Sequence, residues 1–184
     1  MKRKELSEFG MLLRDVVRQL VDCPEQVGVT EIDGEQVTIL EISARKSDHG
    51  KVVGRRGELI DACRQLAKCI GGRDCRSYRI EMLEVPEVLT PPVYPESPTS
   101  QPEPIAATTA LLIRIVRSLV DETERVEVTP VQGSQTAVFE VAVAAPDVAK
   151  VLGKHGKTAD ALRRLLSSMG SRNSRHFLLE ILEP

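Results

Sequence analysis

Val52-Val53-Gly54-Arg55-Arg56-Gly57-Glu58-Leu59-Ile60 is the stretch that decides the reading, and it occurs twice. Ninety-nine residues on, the chain repeats it as Val151-Leu152-Gly153-Lys154-His155-Gly156-Lys157-Thr158-Ala159. Two glycines with two residues between them, aliphatics before and helical periodicity after, describe a sharp turn between two helices. Glycine allows the turn and lets another backbone approach without a Cβ in the way. The following helix starts at the second glycine, so its unpaired N–H groups and positive dipole end face the turn and favour an anion. The middle residues, Arg55 and Arg56 or Lys154 and His155, add cationic side chains suited to phosphate.

Working outward, the same offset aligns Leu20-Val21-Asp22 with Leu119-Val120-Asp121, Gly34 with Gly133, Lys51 with Lys150, Asp61-Ala62 with Asp160-Ala161, and Gly71 with Gly170. From Leu12 to Glu84 the ungapped match gives 29 identities in 73 positions, so the chain is a duplication of one fold. The copies are read as residues 1–85 and 105–184. Between them, residues 86–104 hold seven of the eleven prolines. Proline fixes φ and removes a donor, so an extended, semi-rigid spacer is predicted there.

Each copy reads as helix, strand, strand, helix, helix, strand. Leu6, Phe9, Leu13, Val16, Val17 and Leu20 mark an amphipathic first helix. Strands are predicted over 26–32 and 36–44, joined by a tight turn at Asp33-Gly34, whose residues tolerate positive φ. A short helix from about Asp48 to Val53 enters the glycine turn. A longer one runs to about Ile70, with Gly71 and Gly170 at the left-handed C-cap position. Leu40, Ile42 and Ala44, then Tyr78, Ile80 and Met82, alternate inward, as do Phe139, Val141 and Val143 and Phe177, Leu179 and Ile181. The fold class is therefore α+β: two units, each a three-stranded sheet covered by helices on one face.

The whole chain of 184 residues has net charge −2, no tryptophan and only five other aromatics. That disfavours aromatic stacking platforms and leaves a mode built on backbone amides, cations and aliphatic surface. Charge is nonetheless local: residues 45–56 hold five cations and one acid, the pattern that phosphate recognition uses. Lys51 and Lys150 fall one helical turn before the glycines, and Lys157 follows the second turn. The four cysteines show no ligand spacing and recur nowhere in the second copy, so no metal or other cofactor is expected. None of the three histidines is repeated, no nucleophile–base pair is visible, and no catalytic residue is assigned. Gly153 to Thr158 falls two residues short of a nucleotide-binding P-loop and follows a helix, not a strand. No run of apolar residues is long enough to span a bilayer and no signal-peptide core is present, so a cytoplasmic protein is expected.

The quoted stretch, aliphatics, G-x-x-G and a further aliphatic three residues on, resembles the signature of KH domains. The element order is similar to the type II, bacterial arrangement, and each copy resembles the bacterial KhpA family. The resemblance spans nearly all of both copies and excludes the linker. It implies non-catalytic binding of single-stranded RNA, in post-transcriptional regulation or RNA chaperoning. The turn would grip the backbone of about four nucleotides, with bases in an adjacent aliphatic groove. The implied contact residues are Lys51, Val52, Val53, Gly54, Arg55, Arg56, Gly57 and Ile60, and then Lys150, Val151, Leu152, Gly153, Lys154, His155, Gly156 and Lys157. Two features depart from the family: two copies are fused, and Ala159 stands where the first copy has Ile60. Because an imidazole titrates near neutral pH, the first turn is expected to be the stronger grip. An alternative reading also follows, since proteins of this family pair with themselves and with a second KH-containing protein. The two copies would then form a pairing scaffold, with one turn covered by protein.

Overall fold

In the computed structural model of the chain, the described residues are 6–34, 37–73, 76–84 and 104–182. The first copy contains α1 (Glu8–Leu20), β1 (Gly28–Asp33), β2 (Val37–Ala44), α2 (Lys46–Val53), α3 (Glu58–Arg73) and β3 (Ser77–Glu84). The second repeats it as α4 (Pro104–Leu119), β4 (Glu127–Gln132), β5 (Thr136–Ala142), α5 (Ala145–Leu152), α6 (Lys157–Arg172) and β6 (His176–Leu182). Each sheet has its middle strand paired antiparallel to the first strand and parallel to the last. The parallel pair is closed by the crossover through α2, the glycine turn and α3, or their counterparts. This connection is what carries the turn to the edge of the helical layer.

Local chemistry explains the element ends. Ser7 caps α1 by accepting the Gly10 N–H, and Glu8 complements the positive end of the helix. Pro104, read from the sequence as the last linker residue, is the first residue of α4, where its missing N–H costs nothing. The rest of the predicted extended spacer lies outside the described residues. Pro130 sits inside β4, an edge strand that tolerates a lost donor.

Two glycine assignments are corrected. Gly71 and Gly170 are not left-handed caps: they lie within α3 and α6, which continue to Arg73 and Arg172, and neither has positive φ. A Cβ on Gly170 would meet the Arg175 carbonyl at 2.7 Å and the Phe177 N at 2.8 Å, and one on Gly71 would collide with the Arg76 carbonyl. Glycine is required there by the returning strand's close approach. The hairpin glycines also flank their turn, with Gly133 donating to the Thr136 carbonyl at 2.7 Å and neither Gly34 nor Gly133 at positive φ.

The two copies are not separate bodies. The apolar faces of α1 and α3 pack on those of α4 and α6, and the buried side chains of both sheets and all four helices form one core. Ile115 of the second copy lines a small cavity with Phe9, Leu12, Leu13, Val16, Cys63, Leu66 and Ile70 of the first. Cys69 Sγ near the end of α3 lies 3.2 Å from Thr158 Oγ1 at the start of α6. The 99-residue offset makes Leu59 and Thr158, or Cys69 and Ser168, the equivalent positions, so the two helices run antiparallel about a pseudo-two-fold axis. Near the ends of the interface, arginines reach across. Arg73 donates to the Val120 carbonyl, and Arg172 to the carbonyls of Gln19 (3.3 Å) and Arg18 (3.4 Å). Each copy's first helix thus has its C-terminal carbonyls satisfied by the other copy.

Candidate nucleic-acid interface

Both glycine turns have the same backbone. Gly54 (φ 75, ψ 173) and Gly153 (φ 71, ψ 172) end α2 and α5 in a region open essentially to glycine alone. Arg56 (φ 54) and His155 (φ 55) are left-handed, and Gly57 (φ 82) and Gly156 (φ 75) follow them at positive φ. The N–H groups of Gly54, Gly57 and Glu58 donate within the turn, to the carbonyls of Gly50, Gly54 and Arg55, and those of Gly153, Gly156 and Lys157 do the same in the second copy. Each turn stands at the N-terminus of a 16-residue helix, whose positive dipole end favours an anion.

The side chains on this scaffold divide into two sets. Arg55, Arg56, Lys154, His155 and Lys157 line the turns and make no ion pair with any described residue. Val53 and Leu152 are half-buried beside the turns. By contrast, Val52 and Val151 are fully buried and Ile60 nearly so, which makes them part of the core beneath the turn. They face inward where α2 packs on α3 and α1, and α5 on α6 and α4.

Lys51 and Lys150 are engaged with acids. Lys51 pairs with Asp22 and, at 3.0 Å, with Asp48; Lys150 pairs with Asp121 and, at 2.6 Å, with Asp147. The buried acids at the centre of these clusters carry no role in the sequence reading. Asp147 accepts the N–H groups of Asp121 (3.1 Å) and Glu122 (2.9 Å), and Asp48 accepts that of Cys23 (3.1 Å). They fasten the end of each first helix to the helix that enters the turn. Burial alone would raise the Asp147 carboxyl, but the Lys150 hydrogen bond, the two amides and the lysine charge outweigh it and hold it at about 2. The same balance lowers Asp48. Both lysines are raised in turn, chiefly by their bonds to Asp22 and Asp121. The signal for these clusters was present in the sequence: Asp22, Asp48 and Lys51 all recur at the 99-residue offset.

Pairing of the copies leaves both turns uncovered. Antiparallel packing of α3 and α6 sets them at opposite ends of that helix pair, roughly 20 Å apart at 1.5 Å per helical residue. Among the described residues, no His, Cys, Asp and Glu side chains gather in threes to suit a metal ion, and no helix is long and apolar enough to cross a membrane.

The helix–strand–strand–helix–helix–strand fold, with a G-x-x-G turn between its second and third helices, defines a type II KH domain, present here twice. The family model described as KhpA/KhpB, KH domain matches residues 11–82 and again 109–181, and the chain belongs to that family. A protein named RNA-binding protein KhpA from Chlamydia pneumoniae is 46% identical over 72 residues, 39% of this chain and 92% of that relative. Namesakes from Clostridium acetobutylicum (36% over 72 residues) and Listeria monocytogenes (37% over 73) are each covered over 96% of their length. The relatives' span therefore corresponds to a single copy.

Proposed function

We propose that the chain binds single-stranded RNA without catalysis, through two phosphate-gripping turns held on one rigid pseudo-dimer. The observation that supports it best is that the turn cations make no ion pair with any described residue while a different face makes the copy-to-copy contact. The names of the relatives point the same way. Backbone contacts carry little sequence information, so selectivity is low and affinity falls with salt. The setting is post-transcriptional regulation or RNA chaperoning in the cytoplasm.

In this proposal Arg55, Arg56, Lys154, His155 and Lys157 contact phosphate, the four turn glycines shape the cradle, and Val53 and Leu152 offer the nearest apolar surface to a base. Lys51 and Lys150 act through Asp48 and Asp147, holding the turn in place, with Val52, Ile60 and Val151 beneath it. The first residue of the following helix differs between copies: Glu58 in one, Lys157 in the other. Lys157 adds to the positive field of the second turn and Glu58 subtracts from that of the first, which works against the advantage expected for the first turn. The alternative reading is a pairing scaffold with weak or no RNA binding; the exposure of Arg55, Arg56, Lys154 and His155 favours the RNA-binding reading over it.

The test is a fluorescence-anisotropy titration of labelled single-stranded RNA at two salt concentrations. Wild type is compared with a variant carrying Arg55→Asp, Arg56→Asp, Lys154→Asp and His155→Asp. Salt-sensitive binding, lost in the variant with circular dichroism unchanged, is expected. Equal binding by both proteins, or none by either, would refute the proposal.

A further inference from the structure

In a symmetric pair of identical domains, a residue that touches its own equivalent must lie close to the two-fold axis. Asp15 and Arg114 are such residues. They occupy equivalent positions, 99 apart, and Arg114 Nη1 donates to Asp15 Oδ2 at 2.5 Å across the axis. The duplication has placed opposite charges at the one spot where a homotypic pair would have to place like charges. Two first copies would bring Asp15 against Asp15, and two second copies Arg114 against Arg114.

A neutral contact follows the same logic. Gln19 donates to the Ala107 carbonyl at 3.3 Å and accepts from the Thr108 hydroxyl at 3.1 Å. The position equivalent to Thr108 is Phe9, and the position equivalent to Gln19 is Ser118, whose hydroxyl bonds within its own helix to the Ile115 carbonyl. A pair of first copies would set the Gln19 amide against a phenyl ring, leaving its oxygen without that donor. A pair of second copies would set the short Ser118 against Thr108. The arginine caps behave differently, because Arg73 and Arg172 are equivalent and would form in any pairing. The Cys69–Thr158 contact between α3 and α6 is likewise unequal, with Ser168 and Leu59 as the equivalents, but the charged part of the discrimination resides in the α1–α4 contact.

We infer that the α1 and α4 faces form a heterotypic pairing code in which the first copy accepts the second and each refuses itself, with Asp15–Arg114 as its principal determinant. Like charge juxtaposed at the axis and a half-buried amide without its partner are the repulsive elements such selectivity needs. The consequence is a chain that satisfies its own pairing surface and stays a monomer, leaving single KH domains of either kind unpaired with it. This does not depend on RNA.

The experiment uses full-length protein: wild type, Asp15→Arg, Arg114→Asp and the double swap. Unfolding by urea measures the folding equilibrium constant, and light scattering measures mass. An exposed ion pair shifts an equilibrium constant by up to roughly fivefold, and converting attraction to repulsion widens that span, so each single swap should lower the constant by roughly tenfold. The double swap should recover most of it. Arg14, whose Nε lies 3.8 Å from Asp15, keeps the recovery short of complete. Co-refolding the two single-swap chains gives the selective readout. The D15R site of one chain can then face the R114D site of the other, while the unaltered Asp15 and Arg114 of the two chains face each other in the second contact. A species of twice the 20.3 kDa chain mass should therefore appear that neither chain makes alone. Additive single-swap losses, or a co-refolded mixture that stays monomeric, would overturn the inference.

Discussion

Gly54→Ala and Gly57→Ala look like the same substitution in the same turn, yet their costs should differ severalfold. At Gly54, alanine would have to adopt φ 75, ψ 173, a conformation costing about 1–3 kcal/mol for a residue with a side chain. Its Cβ would also stand 2.8 Å from Leu59 Cβ and 2.9 Å from Leu59 N. Leu59 is buried at the start of α3 and its backbone cannot yield without moving the helix, so overpacking adds about 1–3 kcal/mol. Together the two costs reach about 4 kcal/mol. At Gly57 the nearest atom to a new Cβ is Ile60 Cγ2 at 4.0 Å, leaving only the left-handed penalty of about 1–2 kcal/mol at φ 82. For a cooperative unit of this size, about 2–4 °C per kcal/mol makes the expected drops about 12 °C and about 4 °C. Thermal melts followed by circular dichroism measure both. Melting points within a couple of degrees of each other, or a lower one for Gly57→Ala, would refute the assignment of Gly54 as the steric pivot of the turn.

Acid should expose the role of the buried carboxylates. The folded Asp147 is held at about 2 against an ordinary 3.8, so its contribution is complete above about pH 4 and is lost as pH falls through about 2. Asp147→Asn should be less stable than wild type at pH 7, by about 1–3 kcal/mol, with the gap in urea midpoint closing near about pH 2; a constant gap would contradict this. Cys63 gives an independent check on the core. Burial pushes its thiol up to about 12, so a thiol reagent at about pH 8 should leave Cys63 unmodified in the native protein and label it only in urea, as read by peptide mass mapping.

Several features were legible in the sequence. The 99-residue offset exposes the duplication, and period-2 alternation marks Leu40 and Ile42 or Phe139 and Val141 as the inner face of each sheet. The paired glycines locate the turn because other residues scarcely tolerate their angles. Other features depend on distance across the fold. Gly71 reads as a helix stop because its partner, the backbone at Arg76, is brought alongside only when β3 returns. Val52 and Val151 read as groove residues because an aliphatic before a turn has the same signature whether it faces a ligand or the core. The second use of the α1 face is invisible to periodicity, since a stripe wide enough for a sheet and one wide enough for a sheet plus a second copy look alike.

Arg172 completes α1 by donating to carbonyls 154 and 153 residues earlier in the chain. A ribosome adds roughly 5–20 residues per second, so on the order of ten seconds separates the emergence of α1 from that of its cap. Through that interval the first copy waits with an apolar helical face open and its last carbonyls turned to water. The second copy meets no such delay, because Arg73 is already present when α4 is made. The same symmetric pair of bonds is thus asymmetric in time: the first half is a template held in readiness, and the second half folds onto it.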